Sequence, residues 1–371
     1  MAYGQINADV IGTSVAGSNL GAGNASIMKN KIINGAMVID QRNAGASVTP
    51  NNSYTLDRWA VSNSQTSKLT VQQNAGSVTP PVGFTNYLGV TSSSAYSVLT
   101  GDYFGTYQVI EGFNVADLAW GTASAKTVTL SAWVYSSLTG TFGGSVRNGS
   151  ANRSYPFTYS IPVANTWTQI TVTIAGDTTG TWATNNTNGM SVSFGLGAGT
   201  TFSGTAGSWA GANYLSATGA TSVVGTSGAT FYITGVQLEV GSSATGYEYR
   251  QYGQELALCQ RYLPIAGTSA AGLVGTLSWY STTAAQGYFT FKTTPRVPPT
   301  GIVVSSASHF LANNPGVGNP TPTSITFVSG STEGGVLTVA VASGGSSTAA
   351  GSGYLIFNNA AAQIQFTGCE L

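Results

Sequence analysis

Charge is what this chain has least of. Only 6% of its 371 residues are Asp, Glu, Lys or Arg, against roughly 25% in an average soluble protein. Twelve basic and twelve acidic residues cancel. Twelve scattered cations cannot form the continuous basic face that releases counterions from a phosphate backbone, which argues against a nucleic-acid partner. An anionic membrane surface is disfavoured for the same reason. No run approaches the roughly 20 apolar residues of a membrane span. The first residues (MAYGQINADVIG) carry neither the basic start nor the apolar core of a signal peptide. Histidine occurs once, at His309 in the Ser-rich stretch 305–310. It reads as an ordinary loop or strand residue before it reads as a general base for a nearby serine. No GxSxG elbow, HExxH or P-loop is present. The two cysteines, Cys259 and Cys369, match no zinc or CxxC spacing. They are too few for a disulfide scaffold, and a bond between them stays open.

Against these absences, 42% of residues are apolar and 11% aromatic. The chain can therefore bury a large core, and its solubility must come from Ser, Thr, Asn and Gly. Such a neutral surface suits a fixed assembly, or contact with sugars, better than a freely diffusing enzyme. The length fits two domains of roughly 100–220 residues. Residues 1–28, rich in Gly, Ala, Asn and Ser, read as an extended arm that either frays or orders against a neighbour.

From Ile32 onward, strand signals recur. The clearest segments are 127–135, 167–174, 190–196 and 230–240, each with alternate apolar side chains on one face. Short spacings without helical crossovers predict antiparallel sheets packed as a sandwich. Residues 251–262 (QYGQELALCQRY) read as a short helix stopped by Pro264, linking two domains. After it, 272–280, 287–292, 302–304, 324–328, 335–341, 354–358 and 363–366 predict a second, smaller β-sandwich or barrel. The fold class is all-β. The expected division is an arm at 1–28, a sandwich at 29–250, a helical linker at 251–263 and a C-terminal β domain at 264–371. No 20–50-residue period suggests a solenoid.

Several segments carry a resemblance together: KIINGAMVIDQRN at 31–43, YTLDRW at 54–59, FYITGVQLEVG at 231–241, YEYR at 247–250, ELALCQRY at 255–262 and the terminal Glu370-Leu371. They resemble a family of bacteriophage and prophage virion proteins of the tail-fibre or minor structural type. The resemblance covers about residues 30–262. It implies that the first domain is a jelly roll similar to a carbohydrate-binding module. It also implies a virion protein made in the host cytoplasm. Other virion proteins would be contacted through residues 1–28, host surface glycans are a ligand class, and a homotrimer is the expected assembly. No large tail-attachment domain and no coiled-coil shaft is recognisable. A capsid decoration or head-fibre protein therefore stands as the alternative, and a glycan depolymerase as a third.

Sugars are held by aromatic faces and by hydrogen bonds from amides, carboxylates and Arg. The loop-context candidates are Trp182, Trp209, Trp120, Tyr103 and Tyr214, with Tyr87 and Tyr155. For each, packing at the sandwich end is the competing role. Trp59, Trp133 and Trp167 alternate within strands and read as core. No catalytic residue is assigned, and the chain reads as a non-enzyme. A depolymerase would need two carboxylates about 5–9 Å apart, and Asp102, Glu111 and Asp117 are the set to inspect. Glu239 lies in an apolar strand and must be paired, with Arg58 or Arg42 as the expected partner. The similarity to carbohydrate-binding jelly rolls brings one cofactor into consideration, a structural calcium on Asp40, Asp57 and Glu239.

Overall fold

The computed structural model describes residues 28–267, 272–314, 318–342 and 351–371. The expected arm at 1–28 lies almost wholly outside the described residues. The chain divides into two compact units, one ending at Arg250 and the other beginning at Gln251. Among the described residues no helix is long and apolar enough to cross a membrane.

The first unit holds, in chain order, β1 (Tyr54–Leu56), β2 (Trp59–Asn63), β3 (Leu69–Gln73), β4 (Leu88–Ser92), β5 (Tyr103–Glu111), β6 (Val128–Ser136), β7 (Gly140–Asn148), β8 (Ser154–Ile161), β9 (Thr168–Ile174), β10 (Asn188–Ala198), β11 (Ser203–Gly204), β12 (Ser216–Ala217) and β13 (Thr230–Val240). β11 and β12 make a short parallel pair, and two large sheets form, ordered β1-β2-β5-β10-β7-β8 and β3-β4-β13-β6-β9. The chain passes repeatedly between them, so most neighbours in a sheet are distant in sequence. That crossing pattern, antiparallel throughout both sheets, is a jelly-roll sandwich.

Alternation decides what the sandwich buries. In β10, Met190, Val192, Phe194 and Leu196 enter the core, where they meet Leu130, Val134, Phe231 and Leu238 from the opposite sheet. Trp59 is fully buried there, as expected. Trp133 and Trp167 are not: both are half-exposed. Val128, Leu130, Ala132 and Val134 take the inward positions of β6, so period two sends Trp133 outward. Trp167 likewise packs on the outer side, in a ladder with Tyr135, Tyr87 and Tyr232, whose Tyr135 and Tyr232 rings stack 5.2 Å apart.

Residues 31–43 form no strand, although they belong to the resemblance-bearing set. They make an irregular plug that buries Ile32, Ile33, Met37 and Ile39. Asn34 holds it together. Its amide accepts from the Ile39 N–H at 3.0 Å and donates to the carbonyls of Ile39 and Asp57 at 2.8 and 2.9 Å. Its backbone sits at φ 57°, where Asn is tolerated and Ala is strained.

In the second unit α1 (Tyr252–Gln260) precedes nine strands: β14 (Ile265–Gly267), β15 (Gly272–Trp279), β16 (Ala284–Thr290), β17 (Gly301–Val304), β18 (Phe310–Ala312), β19 (Pro322–Gly330), β20 (Gly334–Val341), β21 (Ser352–Phe357) and β22 (Gln363–Thr367). A three-stranded sheet, β14-β22-β17, and a six-stranded sheet, β18-β21-β15-β16-β20-β19, share one core that includes Trp279, Phe310, Leu337 and Phe366. Cys259 and Cys369 are buried and form no disulfide. Burial pushes the Cys369 thiol up to about 11, so it stays protonated at neutral pH.

Replacing Asn34 by Ala should cost about 2–4 kcal/mol, because buried backbone groups lose their partners and a left-handed residue gains a Cβ penalty. Denaturant unfolding checks this. Asn34→Gly, which tolerates the conformation, should unfold at a higher denaturant concentration than the Ala variant.

Candidate functional site

Three of the five aromatic candidates come together. The rings of Trp120, Trp182 and Trp209 stand nearly perpendicular to one another, with centroids 4.7, 5.2 and 5.5 Å apart. Tyr155 adds a fourth ring 5.3 Å from Trp209. Edge-to-face pairs of this kind contribute about 0.5–1.5 kcal/mol each beyond area burial. Each indole N–H is used internally: Trp120 donates to the Lys126 carbonyl, Trp182 to Asp177 and Trp209 to the Ala175 carbonyl. Trp120 and Trp182 are buried in the main core, and only Trp209 stays half-exposed. The cluster therefore closes the sandwich end, and the two buried rings offer no face to a sugar.

Asp177 locks this end. Arg153 grips both its oxygens, at 2.9 and 2.6 Å, while its guanidinium lies 5.8 Å from the Trp209 ring centre. Burial alone would raise the Asp177 pKa. The hydrogen bonds from Arg153, Thr179 and Trp182 outweigh it and hold the carboxyl below the usual range.

Tyr103 and Tyr214 lie elsewhere. Tyr103 packs edge-on against Phe202. Tyr214 belongs to a segment, residues 203–217, laid across the outer face of the six-stranded sheet. The strand registers place two rows of side chains on that face. One row is Ala60, Tyr107, Ser193, Ser145 and Pro156. The next is Val109, Ser191, Arg147 and Ser154. The covering segment is pinned by Ser193 Oγ donating to the Leu215 carbonyl and by Ser154 Oγ donating to the Ala212 carbonyl. It can come so close because the floor is small. A Cβ on Gly143 or Gly195 would lie 2.5 Å from Ser216 Oγ.

Beside this segment, Tyr107, Arg147, Asn213 and Tyr214 remain half-buried. Asn213 Oδ1 accepts from Arg147 Nη1 at 2.6 Å. A guanidinium, an amide and the Tyr107 phenol thus share a floor of Ser and Gly, while the Tyr214 ring packs against Gly204. Arg147 and Asn213 were not among the sequence candidates. Glycines weaken the alternation in 140–148, and nothing in the sequence places Asn213 beside Arg147.

The carboxylates do not assemble into a metal centre. Asp40 accepts from the backbone N–H groups of Asn43 and Gly45, and Asp57 from the backbone and side chain of Gln41. Glu239 accepts from Gln237 and twice from Thr245, with Lys29 Nζ at 3.8 Å. Its ion pair is therefore with Lys29, in place of the expected Arg42 or Arg58. Among the described residues no three His, Cys, Asp or Glu side chains are grouped to hold a metal. Asp40, Asp57 and Glu239 instead satisfy local N–H and O–H donors.

The depolymerase set is likewise dispersed. Asp102 immediately precedes β5 and Glu111 ends it, a separation of roughly 30 Å along an extended strand. Asp102 accepts from Leu99 N, Tyr96 Oη, Ser64 Oγ and Gln65 Nε2. Burial opposes its ionisation, but these bonds together hold its pKa below the ordinary value, the reverse of what a general acid needs. Asp117 pairs with Lys31 at 2.8 Å. His309 Nδ1 lies 3.0 Å from Ser305 Oγ, which also accepts the Gln363 N–H. Among the described residues no carboxylate hydrogen-bonds the imidazole to complete a triad.

No family model matches the chain, and no curated protein matches it. Solved structures give weak likenesses. One is the enzymatically active domain of tailspike protein 4 from bacteriophage CBA120, with 15% identity and a TM-score of 0.30, covering 57% of this chain and 22% of that one. This chain thus spans about a fifth of that protein's length. A second is a family 11 carbohydrate-binding module from Clostridium thermocellum in complex with a β-1,3-1,4-mixed-linked tetrasaccharide, with 13% identity and a TM-score of 0.27, covering 54% and 97%. A third is the N-terminal cellulose-binding domain of Cellulomonas fimi β-1,4-glucanase C, with 17% identity and a TM-score of 0.25, covering 43% and 82%. At scores this low the likenesses assign neither family nor function.

The Asp177 clamp makes a pH prediction. A carboxyl whose folded pKa is depressed contributes stability above its unfolded value, near about 3.9, and loses it as pH falls through the folded value. Unfolding curves from about pH 2 to 6 should show that loss for the wild type. In Asp177→Asn this component should be absent and the protein less stable at neutral pH.

Proposed function

We propose that this chain is a fibre-type structural protein of a bacteriophage particle that contacts host surface glycans without chemical turnover. One observation carries the glycan part: the outer face of the six-stranded sheet brings Tyr107, Asn213 and Arg147 together half-exposed, with Tyr214 next in sequence to Asn213 and also half-exposed. Aromatic rings supply apolar faces for sugar C–H groups, and amide and guanidinium N–H groups supply directional donors for hydroxyls. The near-uncharged surface supports the same reading, since neutral polyols are recognised by hydrogen bonding and stacking more than by field. The virion part is supported by the segments at 31–43, 54–59, 231–241, 247–250 and 255–262, which resemble phage fibre and minor structural proteins. In this reading residues 1–28 dock on other virion proteins and the assembly is a homotrimer.

Turnover is disfavoured by the chemistry of the acids. Asp102 and Asp177 are held ionised by their donors, and Asp102 and Glu111 sit at opposite ends of one strand. A glycan array probed with the full chain should give binding with dissociation constants of about micromolar to millimolar. Tyr107→Ala and Tyr214→Ala should each weaken it about three- to tenfold, about 0.7–1.4 kcal/mol, while the melting temperature stays near wild type. An array without any signal at millimolar ligand would overturn the glycan role. Release of reducing ends from host polysaccharide would overturn the non-catalytic reading.

A further inference from the structure

Arg147 has no counter-ion. Its one hydrogen bond runs from Nη1 to the neutral Asn213 amide, and no carboxylate pairs with it among the described residues. Its Nε is buried and lacks any partner. One residue pair along the same strand face, Ser145 is fully buried, and its Oγ also has no partner. In ion pairing the two arginines Arg153 and Arg250 of the same unit differ from it: Arg153 is gripped by Asp177, and Arg250 lies 3.3 Å from Glu248. Partial removal of a cation from water without an anion is unfavourable, and a ligand that supplies the missing charge relieves it. Burial pushes the Arg147 pKa down to about 10, the neighbouring Tyr107 opposes that shift, and the side chain is still a cation at neutral pH.

We infer that this face takes a sugar bearing a carboxylate, a uronic or sialic acid unit, with Arg147 as the group that receives the anion. This rests on the glycan-binding reading of the same face and narrows its ligand class. A guanidinium presents a planar fork of donors that matches a carboxylate. Tyr107 lies within electrostatic reach of that fork, and Asn213, next in sequence to Tyr214, fixes its orientation through Nη1.

The experiment is calorimetric titration of the full chain with uronic acid oligosaccharides, the same oligosaccharides after carboxyl reduction, sialic acid oligomers, and sulfated and phosphorylated oligosaccharides. The expected result is binding of a uronate or sialate oligomer that weakens about tenfold or more on carboxyl reduction or in Arg147→Met, and that weakens with added salt. Arg147→Lys should retain part of it, because a point charge replaces the fork. Arg147→Met should unfold at or above the wild-type temperature, since it removes an uncompensated buried charge. A large loss of stability in Arg147→Met would make Arg147 structural and overturn the inference. So would equal binding of the acidic and the carboxyl-reduced oligosaccharides by wild type, or of the acidic ones by wild type and Arg147→Met, although glycan binding itself would then survive. Binding confined to sulfated or phosphorylated sugars would overturn the carboxylate assignment. Failure of every oligosaccharide, charged and reduced, would remove the glycan reading itself.

Discussion

The contact on which the first unit's site depends is the lie of residues 203–217 against a floor of Gly and Ser on the six-stranded sheet. A sheet has two faces, and the core can cover only one. On the other, Gly143, Gly195, Ser145 and Ser193 leave so little bulk that another piece of backbone can rest there. Its amide and carbonyl groups need partners once they are out of water. The serine hydroxyls of the floor supply several of them. Where the segment stops, the larger side chains of the same rows, Tyr107 and Arg147, emerge beside its Asn213 and Tyr214. The surface is thus a boundary between covered and open sheet.

A nearly uncharged chain has few ions with which to build anything else, and it spends them locally. Asp177 holds Arg153 at the tryptophan end of the sandwich. Asp117 holds Lys31, and Glu239 gathers Thr245, Gln237 and Lys29. These arrangements give each carboxylate donors without a neighbouring carboxylate, so they stabilise ionised forms. That chemistry serves stability near neutral pH and is poorly suited to proton transfer. Arg147 departs from these pairings, being half-buried on the sheet face with a neutral amide as its hydrogen-bond partner.

Much of the fold was legible in alternation. Strands at 128–136, 168–174, 188–198 and 230–240 fall within two residues of the periodic segments, and the C-terminal strands follow almost one for one. Alternation was weaker where an inward position is glycine. In β7 the core side receives Phe142, Gly144 and Val146, so GTFGGSVRN reads as a loop. The plug at 31–43 has apolar residues without regular period, because a left-handed Asn34 and its amide bonds set its path. Trp133 and Trp167 were misjudged because a tryptophan in a strand can pack on either face, and only the partner strands say which.

The sequence by itself determined the class of the molecule. Composition required a core without charge, and period two required sheets with one apolar face, because hydrophobic burial acts on side chains a fixed two residues apart. The tertiary structure decided which aromatic residues meet. Trp120, Trp182 and Trp209 come from three separate segments, and their mutual packing turned expected sugar contacts into a closed end of the core. It also decided that Arg147 stands beside Asn213 and Tyr107 and without a carboxylate. Pairing in a sheet joins residues that are far apart in sequence, and whether a charge is compensated depends on that distant company, which no local pattern encodes.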